Sequence, residues 1–248
     1  GSSWIGDVST DWFNCANWSD LRVPDAATDI TFSTDAAVSA NSIELTAGKT
    51  AVCRDFTIEG GTASDYRVKA EGDPTKELEI YGDLSIGGNS ALDFDDGNAG
   101  TNDGTLVLHG HWTNNRGEGS FLEGQSTVEL AGSAMQTVTP YTADAVEHFH
   151  HLTINNSGAG ISLANAITVS GNLTLTDGLV HTGNHTLSVS NTASGALSGH
   201  SNASYINGNL RQYVANSTSY ALPVGTSDQY EAANITFSSF FALTASDC

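Results

Sequence analysis

The sequence predicts an all-β chain wound as a right-handed parallel β-helix, and three observations carry that expectation. Apolar residues alternate with polar ones almost throughout, as in Ile167–Ser190, "ITVSGNLTLTDGLVHTGNHTLSVS". A period of two is that of a strand with one buried face. No sustained i, i+3, i+4, i+7 apolar stripe appears, and Asp144–His151 forms at most one short turn. A unit of the form apolar-any-apolar-any-Gly recurs at Phe56–Gly60, Leu78–Gly82, Leu84–Gly88, Leu106–Gly110, Val128–Gly132 and Ile167–Gly171. Ile43–Leu45, Leu152–Ile154, Leu173–Leu175 and Leu187–Val189 are related strands without the glycine.

The spacing of these units suggests stacked rungs. Phe56 to Leu78, Leu84 to Leu106 and Leu106 to Val128 are each 22 residues; Val128 to Leu152 is 24 and Leu152 to Leu173 is 21. A steady period of that size reads as a solenoid in which each rung holds two or three short strands. Inward residues then stack into one apolar column, and glycine supplies corner angles that a Cβ forbids. A pair of antiparallel sandwiches would give the same alternation, with turns at Asp96-Gly97, Asp103-Gly104, Asp177-Gly178 and Asn207-Gly208. The regular period favours the solenoid.

Three regions follow in order. Residues 1–35 carry Trp4, Trp12, Phe13 and Trp18 and suit an aromatic cap over the first rung, whose backbone groups would otherwise lie open. Residues 36–203 are the β-helix rungs. Residues 204–248 read as a small antiparallel β extension, with "YINGNLRQYV" and "YALPVGTSDQYEAANITF" as two hairpins. Ser238–Cys248 stops in mid-pattern, so the polypeptide is expected to continue or to have been cut there. Cys15 and Cys53 flank one N-terminal region and are a candidate disulfide in an oxidising compartment, which leaves Cys248 over.

Charge excludes several partners. The 248 residues hold 8 Lys+Arg against 28 Asp+Glu, a net charge of −20, and no basic residue lies between Gly117 and Leu210. Nucleic acid and anionic membrane surfaces both need positive charge, so neither is an expected partner. No apolar run reaches the length of a membrane-spanning helix, so no membrane insertion is expected.

The sharpest chemical candidate is "LDFDDGNAGTNDGT", where Asp93, Asp95, Asp96, Asn98, Asn102 and Asp103 offer many oxygens in a glycine-rich loop. Ca2+ takes six to eight oxygen ligands and would suit such a set. A solvated corner loop of Asx turns fits the same residues, and both readings stay open. His109 and His111 would share one strand face, and His148, His150 and His151 cluster further on, but neither group offers a clear third ligand for a transition metal. Asp95-Asp96 is a carboxylate pair of the kind glycosidases use, and such pairs are common by chance in so acidic a chain. No nucleophile elbow or nucleotide-binding loop occurs. The outward threonines Thr57, Thr153, Thr168 and Thr174 are broken by Glu79, Val107 and Glu129 and form no regular lattice. Tyr81 and Trp112 are candidates for stacking on sugar rings, with burial as their default fate.

"WIGDVSTDWFNCANWSDLRVPDAATDITF" (Trp4–Phe32) resembles the opening of β-helical modules in very large secreted proteins of the Bacteroidota. The matching residues are Trp12, Asn17, Trp18, Val23, Pro24, Asp29 and Phe32. Phe149–Val189 looks like their rung repeat and Ser204–Phe237 like their closing segment, whereas Ala36–Asp144 matches in texture alone. The resemblance implies export, by a type IX route, and display at the cell surface or release outside the cell. The expected function is that of a non-catalytic extracellular structural protein, a surface adhesin module or a subunit of an extracellular fibre. Its expected partners are copies of itself joined end to end, or a glycan or other cell-surface ligand. The alternative is a polysaccharide-binding or polysaccharide-degrading module.

Overall fold

The computed structural model describes residues 1–33, 42–60, 66–98, 102–117, 119–142, 145–215 and 218–238. Parallel strands stack into a β-solenoid of about eight turns, with almost no helix. Each rung visits three faces. In the first complete rung these are Ile30–Ser33, Ser42–Glu44 and Thr50–Cys53. The chain then returns to the first face at Phe56–Gly60, directly beside Ile30–Ser33.

Alternation decides what is buried. On the first face Ile30, Phe56, Leu84, Trp112 and Val138 are successive register partners, and all five are buried. On the third face Ala51, Leu78, Leu106, Val128, Leu152, Leu173 and Leu197 form a second continuous column. Each buried Leu or Ile side chain contributes about 1.5–3 kcal/mol of apolar transfer.

The rung length differs from the expected constant period. On the third face Ala51 pairs with Leu78 and Leu78 with Leu106, steps of 27 and 28 residues. The next steps, through Val128, Leu152, Leu173 and Leu197, are 22, 24, 21 and 24. Phe56 pairs with Leu84, and Leu84 with Trp112, so the 22-residue intervals from Phe56 to Leu78 and from Leu84 to Leu106 join different faces. The same strand unit serves two faces, and spacing alone cannot tell a neighbouring face from a neighbouring rung.

Of the recurrent glycines Gly88, at φ +61, supplies the expected corner angle, and the others act differently. Gly82, Gly110, Gly132 and Gly171 are absent from the positive-φ set. They permit close stacking of corners instead: a Cβ on Gly110 would lie 2.2 Å from the carbonyl oxygen of Gly82. Beside them runs a side-chain ladder. Asp83 N–H donates to Asp55 Oδ1 at 2.9 Å, His111 N–H to Asp83 Oδ1 at 2.7 Å, and Thr137 N–H to His111 Nδ1 at 3.0 Å.

The N-terminal residues cover the first rung on two faces. Ser2–Ser3 pairs in parallel with Ile30–Ser33. Trp12 N–H donates to Glu44 O at 3.1 Å, and Glu44 N–H to Thr10 O at 2.8 Å. Trp4, Trp12 and Trp18 are buried and meet edge to face, with centroids 5.1 Å apart for Trp4–Trp18 and 5.0 Å for Trp12–Trp18. Buried Asn17 holds the loop between them, its Oδ1 accepting Val8 N–H and Ser9 N–H.

The parallel stack runs past the expected boundary at residue 203. Ile206–Gln212 pairs in parallel with Val180–Val189, and Val224–Gly225 pairs in parallel with Ile206–Gln212. Asn207-Gly208 therefore lies inside a rung strand and turns no hairpin. The antiparallel part of the C-terminal region is Thr218–Leu222 against Ala233–Phe237.

The expected disulfide is not formed. Cys15 is exposed on the short 3-10 turn Cys15–Asn17, whereas Cys53 points into the core from Thr50–Cys53, and both are free. Burial pushes the Cys53 thiol far above its usual range. Proximity in sequence carried the pairing, and the inward register of Cys53 defeats it. Cys248 lies outside the described residues.

Candidate functional site

The second face has a seam. Its N-terminal strands, Ser42–Glu44, Tyr66–Lys69, Ser90–Asp93 and Phe121–Leu122, pair in parallel as one sheet. Its later strands, Glu147–Phe149 and Ile167–Val169, pair instead within the sheet that includes the first face, through the long strand Val180–Val189. Among the described residues no strand pairing joins Phe121–Leu122 to Glu147–Phe149. The first and third faces cross the same level unbroken, with Trp112 beside Val138 and Thr127 beside His151.

Aromatic rings and a polar pair fill the interior at the seam. Trp112 meets Phe121 at 4.9 Å and Phe149 at 5.2 Å, both edge to face. Asn114 continues the inward column of Phe32, Ile58 and Ile86, and Glu147 begins that of Ile167 and Leu187. Two polar residues thus occupy core positions. Glu147 is 5% exposed. Its Oε2 accepts from Trp112 Nε1 and from Asn114 Nδ2, each at 3.0 Å. Asn114 Oδ1 accepts from Gly117 N–H at 3.0 Å and from the Ser120 hydroxyl at 2.8 Å, which fixes the amide's orientation. Burial pushes the Glu147 carboxyl above the usual carboxylate range. The bonds from Trp112, Asn114 and the His148 amide oppose that shift, and the Glu123 charge adds to it.

The seam opens as a cleft of about 320 Å3 lined by Phe121, Glu123, Pro140, Tyr141, Glu147 and His148. Tyr141 is 56% exposed at its rim. Through Leu122 and Glu123 the cleft adjoins a second hollow of about 410 Å3 that holds Asp95, Asp103 and His150. Through Asp103 and Gln125 that hollow adjoins a third of about 340 Å3, whose walls are Asn102, Thr105, Thr127, His151, Thr153 and Thr174. Shared lining residues set the three side by side, a row of hollows that leads as a groove from the seam onto the third face. His150 and His151 meet at 4.3 Å, and burial lowers the pKa of each, so both favour the neutral ring.

The Asp-rich loop is partly at this groove, and its carboxylates are already engaged. Asp93 is buried and ion-paired to Arg67, and its Oδ1 accepts Asp95 N–H. Asp95 Oδ1 accepts Gly97 N–H, and Asp96 Oδ1 accepts Asn98 N–H, both Asx-turn contacts. Buried Asp103 accepts Gly72 N–H on one oxygen and Gln125 N–H on the other, each at 2.7 Å, tying two rungs together. Asn102 lines the third-face hollow, whereas Asp95 and Asn98 line the adjoining one. Among the described residues no three His, Cys, Asp or Glu side chains gather to hold a metal ion. Asp93, Asp95, Asp96 and Asp103 thus each bond to their own corners of the fold, and residues 99–101 of the loop lie outside the described residues.

Other expectations are redistributed. His109 and His111 lie past the end of Thr105–Leu108, at a corner, and do not share a strand face. His109 Nε2 contacts Glu79 at 3.1 Å and its ring stacks on Tyr81. Trp112 is wholly buried, and Tyr81 remains 46% exposed on the third-face corner. Glu147–Phe149, inside the segment expected to be a turn, is a strand. Glu123, Tyr141 and Glu147 were missed because each stands alone in sequence. The one available signal was "EHF", an alternating triplet with Glu where an apolar residue belongs.

The fold and groove define a β-solenoid with a polar lateral cleft. Comparison with known proteins finds no matching family model, no similar curated protein and no similar solved structure.

Proposed function

We propose that the chain is a non-catalytic, adhesin-type module of the cell exterior, a stiff solenoid that offers its lateral groove to a polysaccharide. One observation carries this reading: the groove crosses several rungs, so it is long enough for a chain rather than a small molecule. Tyr141 supplies an exposed ring for sugar stacking, and Thr and Asn side chains supply hydroxyl and amide partners. The acidic chain, with sequence pI near 4.3, suits a solvated exterior protein.

The test is binding of the purified chain to immobilised polysaccharides, followed by calorimetry on those retained. Retention by a subset, weakened about tenfold in Tyr141→Ala, supports the reading. Retention of none, or release of reducing sugar, removes it. The fibre-subunit reading draws support from Thr50–Cys53, the last strand of the third face at the N-terminal end among the described residues. Filaments with a rung-like repeat in concentrated samples would favour it.

A further inference from the structure

We infer that the groove takes a glycan chain carrying no carboxylate, sulfate or phosphate, with hydroxyls of successive sugars set against successive rungs. This inference rests on the polysaccharide reading above. Asp95, Asp103, Glu123 and Glu147 all line the groove, and no Lys or Arg is among its described lining residues. Basic groups around it are engaged within the fold: Arg67 pairs with Asp93, Arg116 donates to the Ser90 carbonyl, and Lys76, beside the groove-wall residue Thr105, donates to Glu71 O. Three histidines also line the groove: His150 and His151 are biased toward their neutral forms by burial, and His148 is exposed at the cleft. A uronate or sulfated chain would therefore meet like charge with no Lys or Arg to offset it inside a partly desolvated cleft.

The walls have the opposite preference for hydroxyls. Thr105 and Thr127 are register partners one rung apart, as are Thr153 and Thr174. Rungs in a parallel stack lie about 4.8 Å apart, close to the length of one sugar in an extended chain. The two pairs stand in columns two residues apart along the strand, Thr105 and Thr127 ahead of His151, and Thr153 and Thr174 after Glu129. Each column thus sets two hydroxyls one rung apart for a chain that crosses the face along the solenoid axis. Carboxylates that already accept backbone N–H groups keep lone pairs free for sugar hydroxyls.

The experiment compares matched polymers: an uncharged glucan or xylan, the same backbone bearing uronate, and a sulfated glucan, at low and at physiological salt. The uncharged chain should bind at least about tenfold tighter than either acidic one at low salt, and the gap should narrow as salt screens the groove. Glu123→Gln and Asp95→Asn, both at solvent-accessible positions, should each reduce the ratio of uncharged to acidic binding. Equal or tighter binding of the acidic polymers overturns the inference while leaving the polysaccharide reading intact. Binding of no polymer overturns both.

Discussion

The two halves of the solenoid use the same strand and hold their corners by different chemistry. Up to residue 116 the rungs are long, and seven of the eight basic residues lie there. Arg54 pairs with Asp29, Arg67 with Asp93 and Lys69 with Glu71, while Lys76 Nζ donates to Glu71 O. Beyond it the rungs shorten and amides take over. Gln136 Nε2 donates to Leu108 O and Gly110 O, Asn156 Nδ2 to Ala134 O and Gln136 Oε1, and Asn155 Nδ2 to Glu129 Oε1. An exposed ion pair such as Arg54–Asp29 contributes about 0–1 kcal/mol and weakens with salt. Buried amide bonds contribute about 0.5–1.5 kcal/mol each and do not. Where the two systems meet, the second face loses its ladder, and the groove sits at that join. The difference teaches that a solenoid can keep two faces continuous while spending the third on a site.

The largest expected effect breaks the join itself. Trp112→Ala removes the ring between Phe121 and Phe149 and should cost about 3–5 kcal/mol in urea unfolding. An equal loss for Val189→Ala, in the regular C-terminal stack, would mean that the seam carries no special packing.

A pair of glycines sharpens the contrast next. Gly88 has φ +61 and a Cβ there would lie 2.0 Å from Gly60 O. Gly183 has φ +56 with nothing within 4 Å. Gly88→Ala should cost several kcal/mol because backbone must move, whereas Gly183→Ala should cost about 1–2 kcal/mol of conformational strain alone. Equal losses would show that corner stacking is looser than the geometry requires.

Glu147→Ala leaves Trp112 Nε1 and Asn114 Nδ2 buried without their acceptor, at about 1–3 kcal/mol. Its pH dependence has a definite sign. A carboxyl raised in the folded state binds its proton more tightly when folded, so its contribution is present at low pH and fades as pH climbs from the ordinary value of 4.5 through the raised one. Glu147→Gln should remove that decline and stabilise the protein relative to wild type near neutral pH. His150 and His151 act oppositely: their lowered pKa values make stability fall as pH drops below the ordinary 6.5. Melting curves from pH 4 to 8 on Glu147→Gln and on His150→Gln separate the two, and unchanged profiles would sink both assignments.

The smallest expected effect concerns Ca2+. With Asp93 neutralised by Arg67 and no three His, Cys, Asp or Glu side chains gathered among the described residues, melting with Ca2+ or with chelator should give one midpoint. A clear rise with Ca2+ would return the Asp-rich loop to consideration.

Much of the fold was legible because alternation is a local property. Leu106, Val128, Leu152 and Leu173 face inward whatever else the chain does, and their spacing gave the true rung length of the C-terminal half. The aromatic cap was legible as well, since Trp4, Trp12 and Trp18 had nowhere else to be buried. Rung length in the N-terminal half was not, because the strand unit is shared by two faces. Nor was the fate of Cys53 or Trp112, which depends on register rather than residue type. The groove was least legible of all. Tyr141, Glu123, Asp103 and Thr174 come from four rungs, and only lateral stacking brings them to one side.

The sequence by itself therefore determined the period-two burial pattern, the all-β class, the capped end and the acidity, each a matter of neighbours along the chain. Tertiary structure decided which corners stack, where the second face breaks and which carboxylate is buried. Those depend on free-energy differences between registers that differ by a rung or a face, and no local pattern encodes them.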